Sequence, residues 1–349
     1  MLIFFCVLFV ISIIVPIYTY AIYPLILKFF KMKYYTTDVE YQPFVTVIIF
    51  NQNVDNIKTK LDNLMKSKYP ANKIEILEAS NITDINKYYK NINSEIIVFS
   101  DVHTEYDHNA ISSLVKRFAD NRIGCVCGQM RRHPDENGIP TESSFWRYEN
   151  RVKIMESNIG CLSGANNAIY AVRKEILPTI QESIINVDFF ISTYVLQKGY
   201  DVVIEPKAIA FEEQNDIRKN QFFKHVHDGS GYYQSLGLFW RLLFPRKGSF
   251  VYISHRVCRW FVPLNMIILF MSNAILAFHY ILFTVLFACQ VGFYLLIVMF
   301  YILKEKIHSS RKGLISQGLS FVFYFVELNI ALALGFFKFL SYNHKKNSN

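Results

Sequence analysis

Residues 45–50 read VTVIIF, residues 74–77 read IEIL and residues 95–99 read EIIVF. Each run is short, apolar and rich in β-branched residues, which is typical of strands that are buried in a sheet. Residues 58–67 lie between the first two runs and have the apolar spacing of a helix, and residues 123–128 (IGCVCG) resemble a fourth strand. Strands that alternate with helices predict an α/β domain with βαβ units and a mainly parallel sheet.

Polar side chains follow the first three predicted strands. Asn51 and Asn53 come after the first strand, Ser80 after the second, and Asp101 ends the third. Ligands of open α/β sheets bind outside the carboxyl ends of the strands, so these four residues are candidates for a binding site. The sequence contains neither G-x-G-x-x-G nor G-x-x-x-x-G-K-[ST], so it indicates neither a dinucleotide site nor a P-loop.

The composition indicates a protein that is partly embedded in a membrane. Of the 349 residues, 52% are hydrophobic, 16% aromatic and 19% charged, and the mean hydropathy is +0.19. These values exclude a disordered chain and argue against a purely soluble protein. The six cysteines form no C-x-x-C pair, so the sequence indicates neither a zinc ribbon nor a disulfide scaffold.

Long uncharged stretches lie at both ends of the chain. Residues 1–27 carry no charged side chain, and residues 260–303 contain no Asp, Glu, Lys or Arg. The first stretch predicts a membrane anchor, and the second predicts two spans joined by a turn near residues 278–280. A last apolar stretch, residues 314–340, contains Glu327. A carboxylate is costly in lipid, so this stretch is either a fourth span or a re-entrant or interfacial helix.

Basic residues flank these stretches and predict an orientation. They cluster after the first segment, before the second, and in residues 304–312, and all fall on one side if the chain crosses four times. By the positive-inside rule, residues 31–255 are then cytoplasmic, in a protein integral to the inner or plasma membrane. Much of the net charge of +9 is thereby explained without a nucleic-acid partner.

Three short motifs in the soluble part could carry chemistry. Asp101 and His103 form a D-x-H motif that can bind a divalent cation, or else Asp101 caps the next helix. The segment with Gly164, Ala165 and Asn166 permits close approach of a ligand, or is an ordinary glycine turn. Asp188 opens a predicted helix, where it is either a cap or a general base.

Two histidines follow further along the chain. His225 and His227 are two residues apart, so they share a face only in extended structure and point apart on a helix. They are either a weak metal motif or surface histidines. Residues 236–243 are rich in Leu and Phe and include Trp240 and Arg241, which predicts an interfacial helix on the membrane.

Taken in order, these pieces resemble the family 2 glycosyltransferases, in particular the membrane-bound branch with cellulose, hyaluronan and capsule synthases. The resemblance covers roughly residues 15–275. Its most specific segments are residues 99–104 (FSDVHT), 119–131 (ADNRIGCVCGQMR), 145–153 (FWRYENRVK), 164–175 (GANNAIYAVRKE), 187–192 (VDFFIS), 199–213 (GYDVVIEPKAIAFEE) and 254–260 (SHRVCRW).

The resemblance implies a GT-A fold with a mixed, mainly parallel sheet, and a metal-dependent, inverting transfer from a nucleotide-diphosphate sugar, usually UDP-linked. Asp101 matches the first acid of the family's DxD motif, which holds Mg²⁺ or Mn²⁺, and His103 stands at its second position. An imidazole at that position slightly favours Mn²⁺. Asp188 matches the general base, and Asn51 and Asn53 stand where the family has a loop against the nucleobase.

The resemblance also implies an acceptor site. Gly164, Ala165 and Asn166 match the acceptor-lining segment, and Gln234 matches a glutamine of the membrane-proximal segment. The acceptor would be a saccharide or a lipid-linked molecule, in surface polysaccharide synthesis at the bilayer.

Several positions depart from the family pattern. Ser80 replaces an aspartate that binds uracil, and Val187 replaces the acid before the base. The family's QxxRW segment, whose arginine meets the diphosphate, aligns with residues 224–228, so His225 and His227 take its place at the donor. A neutral histidine does not supply the charge of an arginine.

Three hypotheses remain open: an active glycosyltransferase, alone or as a homo-oligomer; a degenerate paralogue that is the partner subunit of an active synthase; and a membrane scaffold without a sugar site. The predicted organisation is an N-terminal anchor (1–30), a cytoplasmic GT-A domain (40–233), interfacial helices (234–258), two or three C-terminal membrane helices (259–340) and a tail (341–349).

Overall fold

The computed structural model describes residues 1–38, 40–51, 57–133, 144–212, 221–307 and 314–347. Asn53 therefore lies outside the described residues. Seven strands form one sheet in the order β2-β1-β3-β6-β5-β7-β4. The strands are β1 (Val45–Phe50), β2 (Ile74–Ala79), β3 (Ile96–Asp101), β4 (Thr104–Tyr106), β5 (Ile123–Arg132), β6 (Ile169–Arg173) and β7 (Asp201–Glu212).

The sheet is mixed, with parallel and antiparallel neighbours in equal number. Strand β1 runs parallel to β2 and β3, and β5 runs parallel to β7. Strand β6 is antiparallel to both β3 and β5, and β4 is antiparallel to β7. The loop before β6 lies at the edge where β3 ends, so β6 has to run back in the opposite direction. The mixed sheet is confirmed, but its parallel part is smaller than the strand and helix pattern indicates.

Eleven helices longer than one turn are present in the described residues. They are α1 (Leu2–Leu27), α2 (Ile57–Met65), α3 (Ile82–Asn91), α4 (Ala110–Val115), α5 (Ser144–Asn158), α6 (Val187–Gln197), α7 (Gln221–Leu238), α8 (Ser249–Trp260), α9 (Val262–Ala277), α10 (Ile281–Ile307) and α11 (Leu314–Asn347). Short 3₁₀ turns occur at Ala71–Lys73, Lys116–Ala119, Lys174–Ile176 and Trp240–Leu243.

Both faces of the sheet are buried. In β1, Val45, Val47 and Ile49 belong to the core on one face, and Ile48 belongs to the core on the other. This alternation follows from the two-residue period of a strand. Because both faces are covered, the strands are apolar almost throughout, and ligands have access to the sheet mainly at its edges.

Apolar helices stand at both ends of the chain, as the sequence predicts. Three segments, Leu2–Leu27, Ile281–Met299 and Phe321–Ser341, are long and apolar enough to cross a membrane. Helices α8 and α9 together are a fourth candidate, bent by 52°. The turn between α9 and α10 lies at residues 278–280, where the sequence predicts it.

Candidate functional site

The carboxyl ends of three strands meet at one edge of the sheet. In register, Phe50 of β1 lies beside Ala79 of β2 and beside Asp101 of β3. Asn51 and Ser80 are the next residues of their strands, so they reach the same edge as Asp101. The structure thus brings these three predicted donor-site residues together.

Local hydrogen bonds fix the side chain of Asn51 and the backbone at Ser80. Asn51 is buried, and its Nδ2 donates to Oε1 of Glu78 at 2.7 Å. Ser80 is exposed, and its N–H donates to the carboxylate of Asp84 at 3.0 Å. Asn81 caps helix α3 by accepting the N–H of Asp84. These bonds hold the side chain of Asn51 and the backbone after β2 in place.

Asp101 and His103 form a tight turn after β3. Oδ1 of Asp101 accepts the N–H of His103 at 2.9 Å, and the His103 side chain is exposed. Within the described part of the chain, Oδ2 of Asp101 makes no hydrogen bond. A carboxylate and an imidazole are ligand types that Mn²⁺ or Mg²⁺ can use, with diphosphate oxygens and water as further ligands. Among the described residues no cluster of three or more His, Cys, Asp or Glu side chains is present, so the protein would provide only part of the coordination.

The segment at residues 163–166 is held against helix α6. Gly164 has φ +92°, and a Cβ on it would lie 2.7 Å from the ring of Phe189 and 3.1 Å from Nη2 of Arg256. The N–H of Ala165 donates to Oγ of Ser192 at 2.9 Å. Only glycine fits position 164, because the φ is left-handed and the neighbours leave no room. The segment therefore fits closely against the first turns of α6.

Asn166 ties the same segment to the sheet. Its Nδ2 donates to the carbonyl of Gly128 at 2.9 Å, and its Oδ1 accepts the N–H of Ile169 at 3.1 Å. Both ends of the amide are thereby used within the fold, so the side chain of Asn166 shapes the segment that the sequence assigns to the acceptor.

Asp188 lies in the first turn of α6, next to this segment. Its carboxylate lies close to the backbone N–H groups of Asp188 and Phe189, and its side chain is partly accessible. Burial by the surrounding protein raises the pKa of Asp188 above its ordinary value, while those N–H groups, Lys153 and Lys224 oppose the rise. A carboxylate with a raised pKa is a stronger base at neutral pH, which suits proton abstraction.

A cavity of about 220 Å³ lies beside Asp188. Its polar lining residues come from α5, α7 and α8, and they are Glu149, Asn150, Lys153, His225, Asp228, Tyr232, Arg256 and Arg259. Its apolar lining includes Tyr324, Leu328 and Leu332 of helix α11, together with Phe145, Trp146 and Trp260. Neither Asp101 nor Asp188 lines this cavity, although Asp188 is close enough to Asp228 and Tyr232 to raise the pKa of both.

Asp228 is a second acid at this site, which the sequence does not single out as a candidate. Burial first, and then the nearby Asp188, raise the pKa of Asp228 to about 7. Lys224 and Lys338 act in the opposite direction. Two carboxylates that share one environment resist ionising together, so Asp228 is partly protonated near neutral pH.

The structure does not bring His225 and His227 together. Both lie on helix α7, where residues two apart point to different sides. His225 lines the cavity, and burial and the neighbouring Lys224 and Arg259 lower the pKa of its ring to about 4, so it is neutral at pH 7. His227 instead contacts Nζ of Lys338 through Nδ1 at 3.2 Å.

Gln234 lies further along the same helix and holds a loop. Its Oε1 accepts the N–H of Ile185 at 3.1 Å, and its Nε2 donates to the carbonyl of Ser183 at 2.6 Å. Gln234 thus fixes the chain just before Asp188. It does not line the cavity, so its predicted contact with an acceptor stays a prediction.

Sequence reasoning overlooked the arginines of α8. Arg256 is buried and donates to the carbonyl of Ser163 through both Nε, at 2.8 Å, and Nη2. Arg259 donates to Oε2 of Glu149 at 2.5 Å. The signal was present as R-x-x-R-W at residues 256–260, which shares its last two residues with the family's QxxRW. The alignment of that segment with residues 224–228 stays a prediction, while in the structure Arg259 and Trp260 of α8 line the cavity.

A buried carboxylate, Glu156, holds the segment before Gly164 and helix α8 in place. Glu156 is fully buried and accepts bonds from the N–H and Oγ of Ser163, from Nδ1 of His255 at 2.5 Å, and from the hydroxyl of Tyr23 at 2.7 Å. The strongly basic surroundings hold the pKa of Glu156 below its ordinary value despite burial. The apolar helix α1, the segment before Gly164 and α8 therefore meet at one side chain.

Comparison with known proteins agrees with this geometry. The family model "Glycosyl transferase family 2" matches residues 12–176, slightly less than half of the chain. Among solved structures, the mannosyltransferase PcManGT from Pyrobaculum calidifontis, in complex with GDP-Man and Mn²⁺, is similar with a TM-score of 0.70 and 16% identity. The match covers 95% of this chain and 99% of that one. The chain therefore has a GT-A fold, and its residues 12–176 are similar to the family 2 glycosyltransferases.

Two further solved structures are more distant. GalNAc-T7 with UDP, GalNAc and Mn²⁺ matches with a TM-score of 0.33 and 12% identity, over 55% of this chain and 50% of that one. A mycobacterial protein matches with a TM-score of 0.39 and 13% identity, over 57% and 76%. At these TM-scores neither match supports a conclusion about this chain. No curated protein matches the sequence significantly.

Proposed function

We propose that this chain is a membrane-bound, inverting glycosyltransferase that moves a sugar from a nucleotide-diphosphate donor to an acceptor in surface polysaccharide synthesis. One observation carries the proposal. The segment at residues 163–168 contacts the neighbourhood of both acids: the N–H of Asp101 at the end of β3 bonds to the carbonyl of Ala168, and the N–H of Ala165 bonds to Ser192 of α6, the helix that Asp188 opens. A cavity that contains cationic side chains has Asp228 in its lining, and Asp188 is near Asp228. A UDP-sugar is the expected donor.

The donor would bind at the strand ends. Asn51, Ser80 and Asp101 lie along that edge, and Asp101 with His103 would hold a divalent cation, Mn²⁺ slightly before Mg²⁺. The cation would neutralise charge on the leaving diphosphate. The hydrogen bonds of the Asn51 side chain and of the Ser80 N–H keep these groups in position before the donor arrives.

Asp188 would act as the general base. Its carboxylate takes the proton of the acceptor hydroxyl, the freed oxygen forms a bond to the anomeric carbon, and the bond from that carbon to the nucleoside diphosphate breaks. The electron pair of the broken bond leaves on the diphosphate, and the anomeric configuration is inverted because the attack and the departure occur on opposite faces. The raised pKa of Asp188 supports this role.

The cavity favours a lipid-linked acceptor over a free saccharide. One wall contains Leu328 and Leu332 of α11, a helix with a segment apolar enough to cross a membrane. The lining also contains Arg256, Arg259 and Lys153. A molecule with a phosphate and a hydrocarbon chain would match both surfaces, since arginine binds phosphate well and the apolar wall continues into the bilayer.

Membrane insertion is part of the proposal. The basic residues that flank the apolar helices favour an orientation with residues 31–255 in the cytoplasm, where nucleotide sugars are available. The cavity would then open near the membrane surface, because α11 is both one of its walls and a candidate span.

Isothermal titration of the detergent-purified full chain tests the donor site. We expect UDP to bind in the micromolar range with Mn²⁺ and much more weakly without it, and Asp101→Ala to lose the metal dependence. GDP belongs in the same series, because the similar mannosyltransferase was solved with GDP-Man. If UDP, GDP and CDP all failed to bind with Mn²⁺ present, the proposed donor site would be wrong.

A second candidate function is that of a partner subunit of an active synthase. Ser80 and Val187 occupy positions where the family has acids, and this observation favours a donor site with reduced affinity for the nucleotide sugar. Such a subunit would show no nucleotide binding in the same titration, and it would co-purify with a second glycosyltransferase that has the complete motifs.

A further inference from the structure

A second cavity, of about 350 Å³, lies at the opposite edge of the sheet from Asp101. It is lined by Lys33, Asn121, Arg122, Gly199, Tyr200, Asp201 and Lys247. Asp201 begins β7, and Ile123, the residue after Arg122, begins β5. Both strands run parallel to β3, because β6 between β3 and β5 is antiparallel to each. The amino ends of β5 and β7 therefore face away from the candidate donor site.

The charges in this basic pocket do not cancel. Asp201 is buried, and its Oδ1 accepts bonds from Nζ of Lys33 at 2.8 Å and Nζ of Lys247 at 2.5 Å. Arg122 pairs with Asp120 at 2.6 Å. One carboxylate between two ammonium groups leaves a single positive charge in excess. The side chains of Lys33 and Lys247 remain 37% and 31% exposed, so a ligand can reach them.

The pocket lies where the chain leaves its apolar helices. Lys33 follows α1 closely, and Lys247 comes just before α8. Exposed aromatic side chains lie in the same two segments: Phe29 is 89% exposed, and Phe30 stacks on Phe250 with ring centroids 5.4 Å apart. Aromatic and basic residues together are typical of the level of the lipid headgroups.

We propose that this basic pocket binds the phosphate of an anionic phospholipid headgroup. A phosphodiester carries one negative charge, which matches the excess charge of the pocket. Lysine and arginine donors bind phosphate oxygens with charge-assisted hydrogen bonds. Basic pockets beside membrane helices are suited to such headgroups, and the exposed Phe29 beside this pocket would contact the acyl region. This site goes beyond the proposed glycosyl transfer and does not depend on it.

Thermal unfolding of the detergent-purified full chain tests this site. We expect phosphatidylglycerol to raise the Tm by several degrees, and phosphatidylcholine or inorganic phosphate at the same concentration to leave it unchanged. Lys247→Gln should remove at least half of the rise, because it abolishes the excess charge while Lys33 still neutralises Asp201. Lys31→Gln is the matched control, an exposed lysine of the same segment outside the pocket lining, and should respond as the wild type.

The outcomes separate the possible ligands. An equal rise with inorganic phosphate would overturn the lipid assignment, and an undiminished rise in Lys247→Gln would overturn the site. If Lys247→Gln unfolds too early without lipid, Arg122→Gln changes an exposed cation of the same pocket and should weaken the response likewise. Asp188→Asn should keep the full response to phosphatidylglycerol, so a failure of the glycosyltransferase proposal and a failure of this one are distinguishable.

Discussion

Asp188 is the residue on which the proposed chemistry depends most directly. It lies in the first turn of α6, with its carboxylate close to backbone N–H groups. Asp188→Asn keeps the size of the side chain, but it cannot take a proton. We expect turnover to fall by about 10²- to 10⁴-fold, the usual contribution of a general base, while nucleotide affinity and Tm change little. Initial rates and titration calorimetry would show this, and wild-type turnover in Asp188→Asn would refute the assigned mechanism.

Asp228 should make stability depend on pH. Its pKa of about 7 in the folded protein lies above the ordinary value, so protonation favours the folded state. The contribution of protonated Asp228 to the free energy of unfolding is fully present below the pKa of the group in the unfolded chain, about 4. It is lost as the pH rises through 7. We therefore expect the Tm advantage of Asp228→Asn over wild type to grow from pH 5 to pH 7 and to level off above it.

Thermal unfolding at pH 5, 6, 7 and 8 measures this trend. The exposed Asp62→Asn is the control for removal of one negative charge. A difference between Asp228→Asn and wild type that stayed constant over the series would show that Asp228 is not protonated in the folded state.

Among the elements, the crossing of α7 and α11 depends on Gly335. A Cβ on Gly335 would lie 2.9 Å from backbone atoms of Gly229, Ser230 and Val226, so the two helices touch through their main chains. Gly335→Ala should force them apart at a cost of about 1–3 kcal/mol. The neighbouring cavity should widen as a result, because α11 is one of its walls.

Gly292→Ala is the matched control for this change. Gly292 lies in α10, and a Cβ there has nothing within 4 Å, so alanine should be tolerated or mildly stabilising. We expect a lower Tm for Gly335→Ala than for Gly292→Ala in the same detergent. Equal Tm values would mean that the helices adjust at no cost and that their close approach is not a requirement.

Local patterns predict the elements well and their pairing less well. Runs such as VTVIIF give β1–β3 nearly to the residue, because β-branched and apolar side chains determine a buried strand. The direction of β6 follows instead from where the segment before it is held, by bonds from Ala165 to Ser192 and from Asn166 to Gly128. Such contacts link residues far apart in sequence, and periodicity contains no information on them.

For the candidate site, too, the sequence predicts individual residues better than contacts between residues that are far apart in the chain. Asp101 and Asp188 stand out in the sequence because each is an acid beside an apolar run. The cavity cannot be predicted in this way, because its lining comes from four helices. Arg256, for example, bonds to Ser163, which lies 93 residues earlier in the sequence. Two histidines that look like a motif prove to lie on separate sides of α7. Helical geometry alone already predicts that separation once the helix is known.

At the scale of the whole molecule, Glu156 connects the apolar and the soluble parts. Tyr23 of α1 donates to this fully buried carboxylate, which also holds Ser163 and His255. Tyr23→Phe removes one donor and leaves the carboxylate short of a partner, at a cost of about 1–3 kcal/mol. We expect a lower Tm and, since Ser163 precedes Gly164, a lower rate of transfer.

Tyr34→Phe is the control for Tyr23→Phe, because Tyr34 is 85% exposed. Tm and initial rate of both variants, measured in the same detergent, separate the loss of a buried hydrogen bond from a general effect of the hydroxyl. If Tyr23→Phe matched Tyr34→Phe in both, the apolar helix α1 would not support the site through Glu156.

The packing of α11 against α7 also sets an order of events during synthesis. His227 of α7 and its contact Lys338 of α11 are separated by 111 positions. At about 5–20 residues per second, the ribosome needs roughly 5–20 s to add that length. During this interval the GT-A sheet can already form while one wall of the cavity has not yet been made. A nascent chain would therefore have its strand-end carboxylate in place before it has a complete acceptor cavity, and transfer to acceptor would begin only after the later helix has inserted.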